Sequence, residues 1–241
     1  VNSASDVAVV VDPSNNPIVA WTEGDGARSN VYLARLNMAR RQWEPIGASN
    51  LPLNFAANSR ANWPTLAVHP SGLLVLAWVE DDRPVAKTFT GTEWRALPAG
   101  IGPNGRTTGR PRMAMGPDGF AVLAWLDADA GGAVRAARSG ISSWTALGTP
   151  QLGPAPPADL VPTTLALAVD GNNRPLIGWA QGTGDAYATY ARRWDGSAWQ
   201  PFDGAPSNAV RLGAFALGVN SSNQPVIAVT EPGAGDHLVR H

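Results

Sequence analysis

The chain has 241 residues, 44% of them hydrophobic, with 18 basic against 19 acidic side chains, a net charge of -1 and no cysteine. That length buries a core in one domain of repeated units or in two small ones, and the near-neutral balance gives no electrostatic case for nucleic acid or an anionic membrane surface. The lack of cysteine excludes disulfides, thiol nucleophiles and Cys-ligated zinc, and apolar runs such as "LLVLAW" (73–78) are too short to insert into a bilayer.

Five stretches align without a gap along the chain: "DPSNNPIVAWTE" (12–23), "HPSGLLVLAWVE" (69–80), "GPDGFAVLAWLD" (116–127), "DGNNRPLIGWAQ" (170–181) and "NSSNQPVIAVTE" (220–231). Each is a turn followed by an apolar strand ending in Ala or Gly and then Trp, with Val229 replacing the Trp in the last copy. The anchors Trp21, Trp78, Trp125, Trp179 and Val229 are 57, 47, 54 and 50 residues apart, the spacing of a four-stranded repeat.

The elements around each anchor recur in order. A first strand lies upstream, as in "VAVVV" (7–11), "TLAV" (65–68) and "TLALAV" (164–169). A third follows, as in "VYLARLN" (31–37) and "YATYARRW" (187–194), and a fourth begins with Trp: "WEPIG", "WRALP", "WTALG" and "WQPFD". Short period-2 strands between Gly, Pro, Asn and Asp turns read as antiparallel meanders. Such meanders bury both faces by stacking around an axis. The expected fold is therefore an all-β propeller of about five four-stranded blades, near 6–48, 63–99, 110–148, 163–204 and 213–241. The last repeat stops at its third strand, so its blade is expected to be incomplete, or the chain to be a fragment of a longer propeller. Val at residue 1 reads as a processed or trimmed product. The small residues eleven positions before the anchors, Ala67, Ala114, Ala168 and Gly218, with Val10 in the first copy, are expected to crowd the axis.

Ten tryptophans fall mostly into two series. The anchors read as wedges between blades. Trp43, Trp94, Trp144 and Trp199 open the outer strands, where an indole covers a blade edge or stacks on a sugar. Trp194 flanks the "DG" turn of "ARRWDGSAW" (191–199), and Trp63 lies beside an innermost strand.

The pattern "D-x-x-N-x-P-h-h-A-W-x-E … R-W-D-G-S-x-W" resembles the blades of bacterial secreted β-propellers, among them propeller lectins with "WDG" outer hairpins and the sialidase and kelch-like group. The resemblance implies an extracellular or periplasmic, mature bacterial chain. The sialidase Asp-box is matched only by Asp195, Gly196 and Trp199, and it is a turn motif that implies no catalysis.

A glycosidase needs two carboxylates about 5 to 9.5 Å apart, whereas Glu23, Glu80, Asp127 and Glu231 recur once per blade, as structural acids do. Arg60, Arg110 and Arg211 precede innermost strands, but Tyr32, Tyr187 and Tyr190 lie in third strands, away from the axis. His69, His237 and His241 show no metal-ligand spacing, and no cofactor motif appears. Strand parity places Asp12, His69, Gly116, Asp170 and Asn220 in an axial ring that reads as turn chemistry or, less readily, as a cation or small-ligand site. The other mouth would carry Asp6, Trp63, Arg110, Thr164 and Ala214. Its Trp63, Arg60, Arg110 and Asp6 are the candidate ligand or partner contacts, extended by the loops 47–63 and 148–162. The expected function is a non-catalytic module contacting a protein partner or a glycan through a loop face. The alternatives are a structural accessory subunit of an extracellular assembly and a glycoside hydrolase-like enzyme.

Overall fold

A computed structural model describes residues 3–25, 27–47, 52–97, 106–140, 143–147, 165–183, 186–201, 215–229 and 238–240. The first blade comprises β1 (Ser3–Val11), β2 (Pro17–Gly24), β3 (Ser29–Asn37) and β4 (Gln42–Pro45). The second comprises β5 (Ala61–Val68), β6 (Leu74–Glu80), β7 (Arg83–Phe89) and β8 (Trp94–Ala96). The third holds β9 (Thr107–Met115), β10 (Ala121–Asp127), β11 (Ala133–Ser139) and β12 (Trp144–Ala146). The fourth holds β13 (Leu165–Val169), β14 (Pro175–Thr183), β15 (Ala186–Trp194) and β16 (Trp199–Pro201). The last has three strands, β17 (Phe215–Val219), β18 (Pro225–Val229) and β19 (Leu238–Arg240). Each blade is one antiparallel meander, and the first strands β1, β5, β9, β13 and β17 pack in succession. The fold is a β-propeller of five blades with an incomplete last blade.

The turn between the first two strands is built identically in every blade. In the first, Asp12 N–H donates to Asn16 O and Asn15 N–H to Asp12 O, both at 2.9 Å. The residue after the two turn positions takes a left-handed backbone, with φ of 66° at Asn15, 89° at Gly72, 82° at Gly119, 60° at Asn173 and 62° at Asn223. Only Asn and Gly occupy it, the residues that bear that conformation most cheaply.

A second irregularity lies opposite the anchors. β1 skips register between Ser5 and Ala8, β5 between Asn62 and Thr65, and β9 opposite Ala124 and Leu126. These are β-bulges. They carry positive φ at Asp6 (53°), Trp63 (53°) and Gly109 (77°).

The core is divided into seams between blades. Ile18 and Ala20 of the first blade meet Leu76 and Trp78 of the second, Val75 and Ala77 meet Leu123 and Trp125 of the third, and Val122 and Ala124 meet Ile177 and Trp179 of the fourth. Trp78, Trp125 and Trp179 are 0%, 3% and 1% exposed and wedge between blades as expected, whereas Trp21 of the first blade is only half-buried and lies in none of these seams. The axial assignment of alternate first-strand residues needs correction. Ala8 and Val10 pack into the seam with the second blade, as Leu66 and Val68 pack into that with the first. Successive side chains of an innermost strand therefore face the following and the preceding blade, because a radial sheet presents both its faces to neighbours.

Candidate functional site

The bulges fall at equivalent places in the first strands of three blades. Arg110 Nη2 of the third blade lies 2.8 Å from Asp6 Oδ1 of the first, with side-chain exposures of 56% and 13%. Trp63 sits on the blade between them, half-buried, and among the described residues its indole N–H and ring have no hydrogen-bond or ring partner. Its left-handed φ of 53° is an outlier for a bulky residue.

Arg60 stands at the rim. Its N–H donates to Asp81 Oδ1 at 2.9 Å, its Nη2 is 3.9 Å from Asp82 Oδ1, and with Ser5, Thr22, Asp25, Ser29 and Asn62 it lines a polar recess of about 430 Å³. Thr164, Ala214 and Arg211 lie outside the described residues. Sequence reasoning missed Arg112, whose Nε donates to Leu165 O of the fourth blade at 2.7 Å. Burial, and then the charge of Arg110, pull its pKa below the usual guanidinium value. A bulge cannot be read from strand alternation, and Arg112 lies on the face turned to the next blade.

The opposite ring is turn chemistry where it is described. Asp12 Oδ1 accepts from Ser14 N–H at 2.9 Å and Asn16 N–H at 2.8 Å. Asp170 Oδ1 caps Asn172 and Arg174 N–H at 2.9 Å, and Asn220 Oδ1 caps Ser222 at 3.0 Å and Gln224 at 2.9 Å. His69 Nε2 lies 3.0 Å from Pro117 O of the next blade. Two further bonds link the tips: Asp118 N–H to Asn173 Oδ1 at 2.9 Å, and Gly171 N–H to Asn223 Oδ1. Among the described residues no cluster of three or more His, Asp or Glu is placed to hold a metal.

The once-per-blade acids serve the fold. Glu23 Oε1 accepts the Trp21 indole N–H at 2.7 Å and Glu80 Oε2 that of Trp78 at 2.8 Å, while Asp127 Oδ2 pairs with Arg135 Nε at 3.0 Å. Glu231 lies outside the described residues. Glu80 also accepts N–H bonds from Phe55 and Ala56 at 3.0 and 2.8 Å, which fastens the loop after the first blade. Phe55 stacks on Trp78 with centroids 5.6 Å apart. Lys87 Nζ lies 4.5 Å from the Phe55 centroid and donates to Leu53 O at 2.6 Å, and burial lowers its pKa. This part of the loop 47–63 spends its polar groups inward. The loop 148–162 lies outside the described residues.

The outer tryptophans are mostly joints. Trp94 Nε1 donates to Ile46 O at 2.8 Å and Trp199 Nε1 to Leu147 O at 2.9 Å, each on the preceding blade. In "ARRWDGSAW", Trp194 and Trp199 are cross-strand partners with rings 5.5 Å apart. They clasp a turn in which Asp195 Oδ1 accepts from Ser197 and Ala198 N–H, both at 2.8 Å. Between the second and third blades, Leu73, Val75, Leu97 and Phe120 line a mostly apolar cleft of about 550 Å³.

No family model matches the chain, and no curated protein matches it. Among solved structures, a mutant of the Aleuria aurantia lectin in complex with Fucalpha1-6GlcNAc is similar, with TM-score 0.62 and 15% identity over 93% of this chain and 70% of that one. The Penicillium chrysogenum alpha-L-arabinanase complexed with arabinobiose gives TM-score 0.60 and 13% identity over 98% and 77%. A Hadza microbial sialidase gives 0.59 and 14% over 97% of this chain and 54% of the sialidase. At these identities the likeness is one of fold. No helix among the described residues is long and apolar enough to cross a membrane.

Proposed function

We propose that the protein is a non-catalytic carbohydrate-binding module, and that the axial mouth bearing Asp6, Trp63 and Arg110 contacts the glycan. The observation that carries this reading is Trp63: a half-buried indole with no hydrogen-bond partner among the described residues, held on a costly backbone conformation at the same repeat position as the exposed Arg110. Strain at such a position is tolerated where the side chain has a use. An indole face and Arg N–H donors are the groups that stack on a sugar ring and hold its oxygens. The resemblance to secreted propellers supports an extracellular or periplasmic location.

The commitment of Glu23, Glu80 and Asp127 to Trp, backbone and Arg partners favours binding over glycoside hydrolysis. The test is a glycan-array screen of the chain and of the variant Trp63→Ala with Arg110→Ala, whose fold is checked by melting. Loss of binding in the folded variant supports the reading, and undiminished binding moves the site away from the mouth. Turnover of chromogenic glycosides by the intact protein would overturn the non-catalytic assignment.

A further inference from the structure

Each outer Trp opens a fourth strand at the same place in its blade, and two of them are held in the same two ways. Trp94 lies cross-strand from Phe89 with ring centroids 5.3 Å apart, and Trp199 lies cross-strand from Trp194 at 5.5 Å. Each also donates its indole N–H to the preceding blade, to the carbonyl of Ile46 or Leu147. Trp144, on the blade between them, has neither support. Its cross-strand partner is Ser139, and among the described residues no ring packs on it. Its Nε1 is buried without a hydrogen bond, in a residue only 8% exposed. A buried donor left unpaired is costly. The equivalent acceptor would be the carbonyl of Leu97, which stands in the second blade where Ile46 and Leu147 stand in theirs.

These departures from the repeat gather around the apolar cleft of about 550 Å³ between the second and third blades, lined by Ser139, Leu97 and Thr88 among others. On the wall of the third blade, Ser139 and Ala121 stand where the second blade has Phe89 and Leu74. On the wall of the second, Thr88 faces Val75 across the strands, at the place held by Arg35, Arg138 and Arg193 in the other four-stranded blades. Arg35 and Arg138 pair with Asp12 and Asp118 of their own blades' turns, whereas the turn 69–72 of the second blade, "HPSG", has no acid. Truncation on both walls thus leaves a space within the range of small-molecule sites, about 300 to 1,000 Å³. Arg95 at its rim is spent on Glu93 at 2.7 Å.

We infer that this cleft binds a small aromatic molecule with one hydrogen-bond acceptor, of the size and kind of an aryl ketone. Its ring takes the place that Phe89 and Trp194 fill in the neighbouring seams, and its oxygen accepts the Trp144 indole N–H. Tilted aromatic pairs at such separations are favourable beyond the area they bury. The cleft adjoins the turns 69–72 and 116–119, at the axial end opposite Trp63, so the inference is independent of the glycan reading.

The test follows the indole N–H resonances of the isotope-labelled chain by NMR as acetophenone is added, with the Trp144 resonance identified by its loss in Trp144→Phe. A saturable shift of that resonance is expected, and ethylbenzene, the same skeleton without the acceptor, should move it less. Ser139→Phe supplies the missing ring and should abolish the shift. Thr88→Arg restores the repeated residue and should weaken binding about tenfold, and it decides the matter alone if Ser139→Phe does not fold. A Trp144 resonance that stays in place overturns the proposal, as does a shift that survives these substitutions in folded protein. An equal shift with glucose also overturns it, because the cleft would then be a sugar site. Glycan binding by the Trp63→Ala variant is read separately, so failure at this cleft leaves the axial-mouth reading untouched.

Discussion

Arg110 reaches past the second blade to bring Nη2 within 2.8 Å of Asp6 Oδ1, 104 residues away. The pair is largely exposed on the Arg side, where ion pairs contribute about 0 to 1 kcal/mol. Asp6→Asn retains an acceptor and a residue tolerant of positive φ, so stability measured by denaturant melts should change by less than about 1 kcal/mol. A larger loss would make the pair a structural tie.

Trp63 yields an unusual ordering of substitutions. At φ 53° an L-residue with a Cβ costs about 1 to 2 kcal/mol that Gly does not. Trp63→Gly should therefore be more stable than Trp63→Ala by about 1 kcal/mol, against the usual preference in a strand. Urea midpoints of the two variants check it, and equal midpoints would mean that the bulge relaxes.

The two Trp series should separate in stability. Trp125→Ala empties a buried seam position and should cost about 3 to 5 kcal/mol. Trp43→Ala, at 55% exposure, should cost about 0.5 kcal/mol. Trp199→Ala falls between them, because its indole N–H bond to Leu147 O is lost. Thermal melts of the three variants provide the comparison.

Removal of the Glu80 carboxylate strands three donors at once: the Trp78 indole and the Phe55 and Ala56 amides. The Trp78 indole is buried, and an unsatisfied buried donor costs about 1 to 3 kcal/mol, while the amides of the exposed Phe55 and Ala56 turn to water, so Glu80→Ala should cost about 1 to 3 kcal/mol and release the loop. Limited proteolysis should then cut near residue 55, where the parent resists.

Asp195 makes one outer hairpin sensitive to acid. Backbone N–H bonds from Ala198 and Ser197, with Gln200 and Ser197 side chains, hold its carboxyl well below the usual value of 3.8. A depressed folded-state pKa contributes stability that is present above 3.8 and lost as pH falls through the folded value. The melting difference between the parent and Asp195→Ala should thus be full at neutral pH and shrink below pH 3.8. A constant difference would assign the effect to packing.

Blade number, strand order and the wedge role of Trp78, Trp125 and Trp179 were legible because a radial repeat imposes the same burial on every copy. The mouth was legible in part. Asp6, Trp63 and Arg110 share one offset from their anchors, and the structure does pair Asp6 with Arg110. The bulges escaped notice because Trp63 and Asp6 lack the Gly that betrays a left-handed residue, and Gly109 alone sets no pattern. Which face of β1 meets a neighbour was illegible too. Val7, Val9 and Val11 alternate like any buried strand, and nothing in their spacing reveals that they are exposed.

The tip bonds from His69 to Pro117, Asp118 to Asn173 and Gly171 to Asn223 run from one blade to the next along the second to fifth blades, the turns of the third and fourth each serving two of them. The apex is therefore stitched by a modular relay. Duplicating or deleting a whole blade during evolution would break and remake stitches of the same kind, so the number of blades is free to drift while the chemistry at the apex stays as it is.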